Sequence, residues 1–157
     1  MRTLLATVAA TAVATTLGGA GLALADTGAA TSSVIPVVAH SKVDKRIDLG
    51  RKGFSVGDQE TSSATLTSSG KAIGRLDGVC AATFATRSKA HELCSQTLAL
   101  PGGEIVAVGT IVSTPHGPAP FDWAITGGTG NYAGATGFVH VIPANGPKIH
   151  MTIHVTY

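Results

Sequence analysis

Turn signals punctuate this chain about every ten residues, and the stretches between them carry no helical stripe. Clusters of Gly, Pro or short polar residues stand at 50–53, 68–70, 86–89, 101–103, 115–118, 127–137 and 143–147. Val, Ile and Thr dominate the segments they separate. Such spacing indicates an all-β sandwich or barrel. Seven turns divide about eight strands, and closing eight strands into an antiparallel barrel removes exposed edges while leaving room for side chains or one small ligand.

The densest turn is the string Ile125-Thr126-Gly127-Gly128-Thr129-Gly130-Asn131-Tyr132-Ala133-Gly134-Ala135-Thr136-Gly137. An apolar run over 121–125 enters it and another over 138–142 leaves it. The glycines therefore form a hairpin-like connection, where φ > 0 and close backbone approach are needed. Gly130 is expected at φ > 0, and Tyr132, the bulky side chain of the loop, is expected to pack down on the loop's own glycines. A dinucleotide site would need a helix after the glycines, but the chain continues Phe-Val-His-Val-Ile; no Gly-Lys-Ser/Thr follows either, so a nucleotide loop is rejected.

This string resembles the glycine-rich hairpin of the allene oxide cyclase and dirigent barrels, with its Gly-Gly-Thr/Ser-Gly turn, an aromatic two residues on and a following Gly-Ala-x-Gly. The segment "VGDQETSSATLTSSGKAIGRLDGVCAATF" resembles the second and third strands of the same superfamily, including a Gly-x-Cys. The resemblance covers roughly residues 38–157 and implies an eight-stranded barrel. It also implies dimers or trimers, and, if the chain is an enzyme, an isomerase-like or cyclase-like activity. By resemblance Cys80 corresponds to a cavity-lining Cys of the plant cyclases. Their first-strand acidic residue and Asn have no Glu-x-Asn counterpart here; Asp44 and Asp48 are the candidates in that region, and the catalytic residues stay unassigned.

The two cysteines fit the strand layout. If Phe84 and Ala90 close the turn at 86–89, Cys80 stands directly opposite Cys94, close enough to bridge. A disulfide is expected, stabilising by roughly 3 kcal/mol for a loop of about 15 residues. The alternative, a catalytic thiol, lacks a His/Asn pattern nearby. Strand alternation then assigns the cavity. With Cys80 inward, Leu76, Ala82 and Phe84 point inward, Gln96 and Leu98 join them from the next strand, and Phe121, Trp123 and Ile125 share one face. Leu76, Phe84, Gln96, Leu98 and Trp123 are the candidate ligand contacts. Such a lining suits a small hydrophobic ligand; the alternative is that these side chains simply fill the barrel. Seven aromatic residues in the whole chain argue against a carbohydrate-binding surface.

At the C-terminus, a loop closed by Ile142 and Lys148 would set His140 opposite His150. His154, about 13 Å along the strand, could not complete a metal site, and neither metal nor cofactor is expected. The pattern reads instead as a polar face, Lys148, His150, Thr152, His154 and Thr156, opposite an apolar one, Ile149, Met151, Ile153 and Val155.

Residues 1–25 read as a secretory signal peptide, with Arg2, a small-residue apolar core and an Ala-x-Ala site at 23–25. Residues 26–36 read as a flexible tail and 37–157 as the barrel domain. The mature chain would be secreted into an oxidising, extracellular compartment. No later run is long enough to span a membrane. Loss of Arg2 lowers the formal charge from +2 to +1. The basic run 42–46 is broken by Asp44, which excludes the dense basic face of a nucleic-acid binder and suits a solvated edge strand. The expected function is a secreted barrel binding a small apolar ligand, of dirigent or cyclase type, that steers cyclisation or coupling of a small molecule. The alternative is a non-catalytic secreted structural or interaction protein with a filled core.

Overall fold

The computed structural model describes residues 30–144, 146 and 148–157; the signal-peptide segment lies outside the described residues. Eight strands follow in order: β1 (Ser32–Ile47), β2 (Gln59–Ser68), β3 (Lys71–Ala85), β4 (Ala90–Leu100), β5 (Gly103–Ser113), β6 (Phe121–Gly128), β7 (Thr136–Ile142) and β8 (Lys148–Thr156). Each pairs antiparallel with the next, and β8 returns to β1, so the barrel is closed. The expected all-β, eight-stranded antiparallel barrel is what the chain forms.

The barrel begins earlier than the sequence suggests. Residues 32–36 belong to β1 and pair with β8, from Ser32↔Thr156 to Pro36↔Thr152. Pro36 is tolerated because pairing to β2 starts only at Val38, so its missing N–H faces no second neighbour.

Alternation along each strand builds the core. Val37 and Ala39, Leu66, Leu98 and Leu100, Ile105, Val139 and Val141, and Ile153 and Val155 all face inward and are buried. Four register shifts interrupt the alternation, between Ser41/Val43, Leu66/Thr67, Ala82/Phe84 and Val106/Ala107. At such a shift an extra residue opposes one partner, and the side chains beyond it change face.

The two ends of the barrel differ. The glycine-rich turn closes one end. Residues Gly130–Tyr132 form a single 3-10 turn, with Gly130 at φ 59°. The Asn131 N–H donates to the Gly102 carbonyl at 2.9 Å and the Thr129 N–H to the Glu104 carbonyl at 2.9 Å, tying this turn to the β4–β5 hairpin. Tyr132 is buried over Gly128 and meets Tyr157 edge to face at 5.1 Å. The loop is thus the plug of the packed end. The other end carries the connections 48–58, 86–89 and 114–120, with residues 143, 144 and 146.

The β3–β4 register places Cys80 opposite Cys94, and the two are disulfide-bonded. The turn beyond them closes differently from expectation: the bulge before Phe84 pairs it with His91 rather than Ala90. At the C-terminus the β7–β8 register is two residues away from the expected one. His140 faces Thr152, and His150 faces Ile142. A shift of two keeps every side chain on its face, so Met151, Ile153 and Val155 are still buried. His140 instead pairs with Asp122, Nδ1 to Oδ1 at 2.7 Å, and His154 stacks on Phe138 at 4.4 Å.

Candidate ligand-binding site

A cavity of about 410 Å³ lies inside the barrel toward the end opposite the glycine-rich turn. Its existence follows from side-chain size. Leu and Ile fill the packed end, whereas the inward positions here are Ala39, Ser41, Ser62, Ala64 and Gly78. The wall is also low on one side. Beyond Ser41, β1 has pairs only with β2, and beyond Val108, β5 has pairs only with β4. Ile111, Trp123, Ile149 and Met151 form the apolar lining, with Leu76 and Cys80 below them.

Two cavity residues are seated by glycines across the strand pair. A Cβ at Gly78 would run into the Gln96 carboxamide, and one at Gly109 would lie 2.6 Å from Cδ1 of Trp123. Both side chains are buried, and each has a polar atom without a hydrogen-bond partner: Gln96 Oε1 and Trp123 Nε1. The Gln96 amide donates only a long contact, Nε2 to Cys80 Sγ at 3.8 Å. Buried polar atoms are satisfied in the great majority of cases; His91 Nε2 is a further unpaired one among the described residues.

A charged tier sits at the mouth, created by the β1 bulge. Regular alternation from Ala39 and Ser41 would turn Val43 and Lys45 inward. The shift between Ser41 and Val43 instead sets Asp44 opposite Ser62 and Arg46 opposite Glu60. The overhang of residues 41–47 is the solvated edge that the charge pattern implies, but two of its charges face the barrel. Arg46 Nη2 lies 2.9 Å from Glu60 Oε2 and 3.9 Å from Glu92 Oε1, with its guanidinium 4.6 Å from the Phe54 ring centre. Burial pushes the Glu92 carboxyl above its ordinary value, and the charge of Glu60 adds to the rise while Arg46 opposes it. Arg46, Phe54 and Glu92 also border a neighbouring cleft of about 310 Å³ that includes Arg87 and Lys89.

The loop 48–58 that carries Phe54 is held by Asp58. Its buried carboxylate accepts from the Leu49 and Ser55 N–H groups, both at 2.9 Å. These backbone bonds hold its pKa below the ordinary 3.8.

Of the residues assigned from alternation, Leu76, Gln96 and Trp123 line the cavity. Leu98 is fully buried in the packed core and is not among the lining residues. Phe84 is corrected: the bulge after Ala82 turns it outward, where it is 43% exposed and lies 5.1 Å from the His91 ring. Asp44 is at the cavity mouth. Asp48 is not; it accepts from the Gly53 N–H at 3.0 Å and closes the turn at 50–53. Cys80 lines the cavity as half of the disulfide, so no free thiol is present. Glu60 and Glu92 were not anticipated. The alternation through Cys94 and Gln96, extended backward, reaches Glu92, and Glu60 is the direct partner of Cys80. The glycine-rich loop, with Gly127, Gly128, Gly130, Tyr132, Gly134 and Gly137, belongs to the opposite end and contributes nothing to the cavity lining.

A family model described as "Allene oxide cyclase barrel like domain" matches residues 37–154. Among solved structures, a pyocyanin demethylase is 32% identical, with a TM-score of 0.70, over 78% of this chain and 99% of that one. A Diels–Alderase from Streptomyces koyangensis is 17% identical, with a TM-score of 0.63, over 80% of this chain but only 63% of its own length. A pterocarpan synthase dirigent protein is 14% identical, with a TM-score of 0.60, over 82% of this chain and 90% of that one. No curated protein sequence matches.

Proposed function

The chain belongs to the allene oxide cyclase barrel-like family, and on that premise we propose that it is a secreted barrel that binds a small, largely apolar molecule in the cavity and steers its rearrangement or cyclisation. The observation that carries this is the cavity itself: an apolar lining with two buried, unpaired polar atoms, Gln96 Oε1 and Trp123 Nε1. A volume of about 410 Å³ is within the usual range for small-molecule sites. Shape and placement would supply most of the rate effect. Asp44 and Glu60 are the carboxylates of the lining able to accept or return a proton, while Glu92, which shares Arg46 with Glu60, borders the neighbouring cleft. Likeness to a pyocyanin demethylase, to a Diels–Alderase and to a dirigent protein supports small-molecule chemistry. A barrel with a filled core is the competing expectation, and the cavity counts against it.

Secretion is part of the same proposal, supported by the N-terminal sequence and by a disulfide compatible with an extracellular protein. Among the described residues no helix is long and apolar enough to cross a membrane. Self-association is also part of it: outward-facing Val79, Phe84, Leu93 and Val112 are exposed on adjacent strands β3–β5, and sedimentation measures it. The test of ligand binding is titration of folded protein with an environment-sensitive hydrophobic dye. Saturation at one dye per barrel supports the proposal; absence of saturable binding refutes it.

A further inference from the structure

The cavity has an electrical sign. Among the described residues that line it, the ionisable side chains are Asp44 and Glu60. Behind them Arg46 is shared between Glu60 at 2.9 Å and Glu92 at 3.9 Å. Two carboxylates thus share one guanidinium, and Asp44 adds a third carboxylate that lines the cavity from the bulged stretch of β1. Arg87 and Lys89 border the neighbouring cleft instead. Deeper in, Gln96 is 2% exposed and belongs to the lining, with Oε1 packed over Gly78. Ser41, Ser62 and Ser63 supply hydroxyls that can also accept. Trp123 is 5% exposed and contributes its indole to the lining.

These features converge on one kind of ligand. A carboxylate placed here would meet like charge at Asp44 and Glu60, a repulsion that salt screens. A cation would meet opposite charge at Asp44 and Glu60 and hydroxyl acceptors on Ser41, Ser62 and Ser63. We infer that the cavity selects a small molecule whose polar end is cationic and carries N–H donors, and discriminates against a carboxylate of the same size. This rests on the proposed binding role and adds to it the chemical class of the ligand.

The test uses two tricyclic probes of matched size, 9-aminoacridine as the cation and anthracene-9-carboxylate as the anion. Trp123 is the single tryptophan of the chain, so quenching of its fluorescence reports binding at the cavity directly. At neutral pH and low salt the cation should bind at least about tenfold tighter, a gap that narrows at high salt. Asp44 lies at the exposed mouth, so its substitution is compatible with folding, checked by circular dichroism. Asp44→Asn should remove most of the preference, and Asp44→Lys should invert it; if the lysine variant does not fold, Asp44→Asn alone decides. Equal or tighter binding of the carboxylate, or a preference unchanged in Asp44→Asn, overturns the charge selection while leaving cavity binding intact. Failure of both probes to quench Trp123 overturns cavity binding as well.

Discussion

Replacing Gly130 and Gly134 by alanine, one at a time, isolates what the glycine-rich turn contributes. Both residues have φ > 0, at 59° and 76°. For each, placing an alanine in a left-handed conformation costs about 1–2 kcal/mol, and the loss of unfolded-state entropy offsets a few tenths to about 1 kcal/mol equally in both. The surroundings differ. A Cβ at Gly134 would meet nothing within 4 Å, whereas one at Gly130 would overlap the Gly102 carbonyl oxygen and lie 3.2 Å from its carbon and from Gly103 Cα. Relief requires the turn to lift from the β4–β5 hairpin. That weakens the Asn131→Gly102 and Thr129→Glu104 hydrogen bonds, both 2.9 Å, each worth about 1 kcal/mol net. Gly130→Ala should therefore cost about 2–4 kcal/mol and Gly134→Ala about 1 kcal/mol. Urea unfolding followed by Trp123 fluorescence measures both, with the slope m expected to stay constant. Equal losses in the two variants would show that the turn does not lock onto the hairpin, and the account of the plugged end would fall.

Replacing Cys80 and Cys94 together by alanine should cost about 3 kcal/mol, because the bridge closes a short loop in the unfolded chain; wild-type stability in the double variant would contradict this. Ala64→Phe projects a ring into the cavity, so it should abolish dye binding with little loss of stability, whereas a well-packed site would lose about 1–3 kcal/mol. The pH dependence has two arms of opposite sign. Asp58, held below 3.8 by backbone N–H bonds, contributes stability that is present above that value and is lost as pH falls through its lower folded pKa. Glu92, raised above 4.5 by burial, contributes stability that is full below 4.5 and is lost as pH rises through its folded pKa. Unfolding midpoints of Asp58→Asn and Glu92→Gln across acid and neutral pH should flatten the low and the high arm respectively.

The barrel was legible because it depends on two features a sequence displays openly, turn residues and alternation. The Cys80–Cys94 pairing survived an error in the turn beside it, since the bulge lies beyond Ala82 and leaves the bridge register untouched. Bulges themselves leave no comparable trace. The one before Phe84 turned a predicted cavity residue outward, and the one after Ser41 brought Asp44 and Arg46 inward. The β7–β8 register failed in a different way. A slide of two residues preserves the apolar face, so alternation cannot tell His140↔His150 from His140↔Thr152. Glu92 needed only the parity of Cys94 and Gln96 carried two residues further back. The early start of β1 was hidden by small polar residues and Pro36, which resemble a tail until β8 is there to pair with them.

The packed core and the cavity are segregated along the barrel axis, and the sequence explains why each end tolerates what the other cannot. At the plugged end Leu66, Leu98, Ile105 and Ile153 are fully buried, and the Gly130–Tyr132 turn seals them. Losing a methyl there opens a void that rigid neighbours cannot fill. At the open end Ala39, Ser41, Ser62, Ala64 and Gly78 leave the middle empty, and the wall is short on the β6–β8 side. That end also holds what a stability-driven core would discard: three unpaired buried polar atoms, on His91, Gln96 and Trp123, and a glutamate whose charged form is disfavoured. Gly78 and Gly109 add to the case, because each gives up side-chain packing so that Gln96 and Trp123 can occupy their places. Packing alone would favour a larger residue at several of these positions. Unmet hydrogen-bonding capacity, like-charged carboxylates and small side chains, concentrated at one end of a barrel anchored at the other, are the arrangement expected of a site shaped for an occupant.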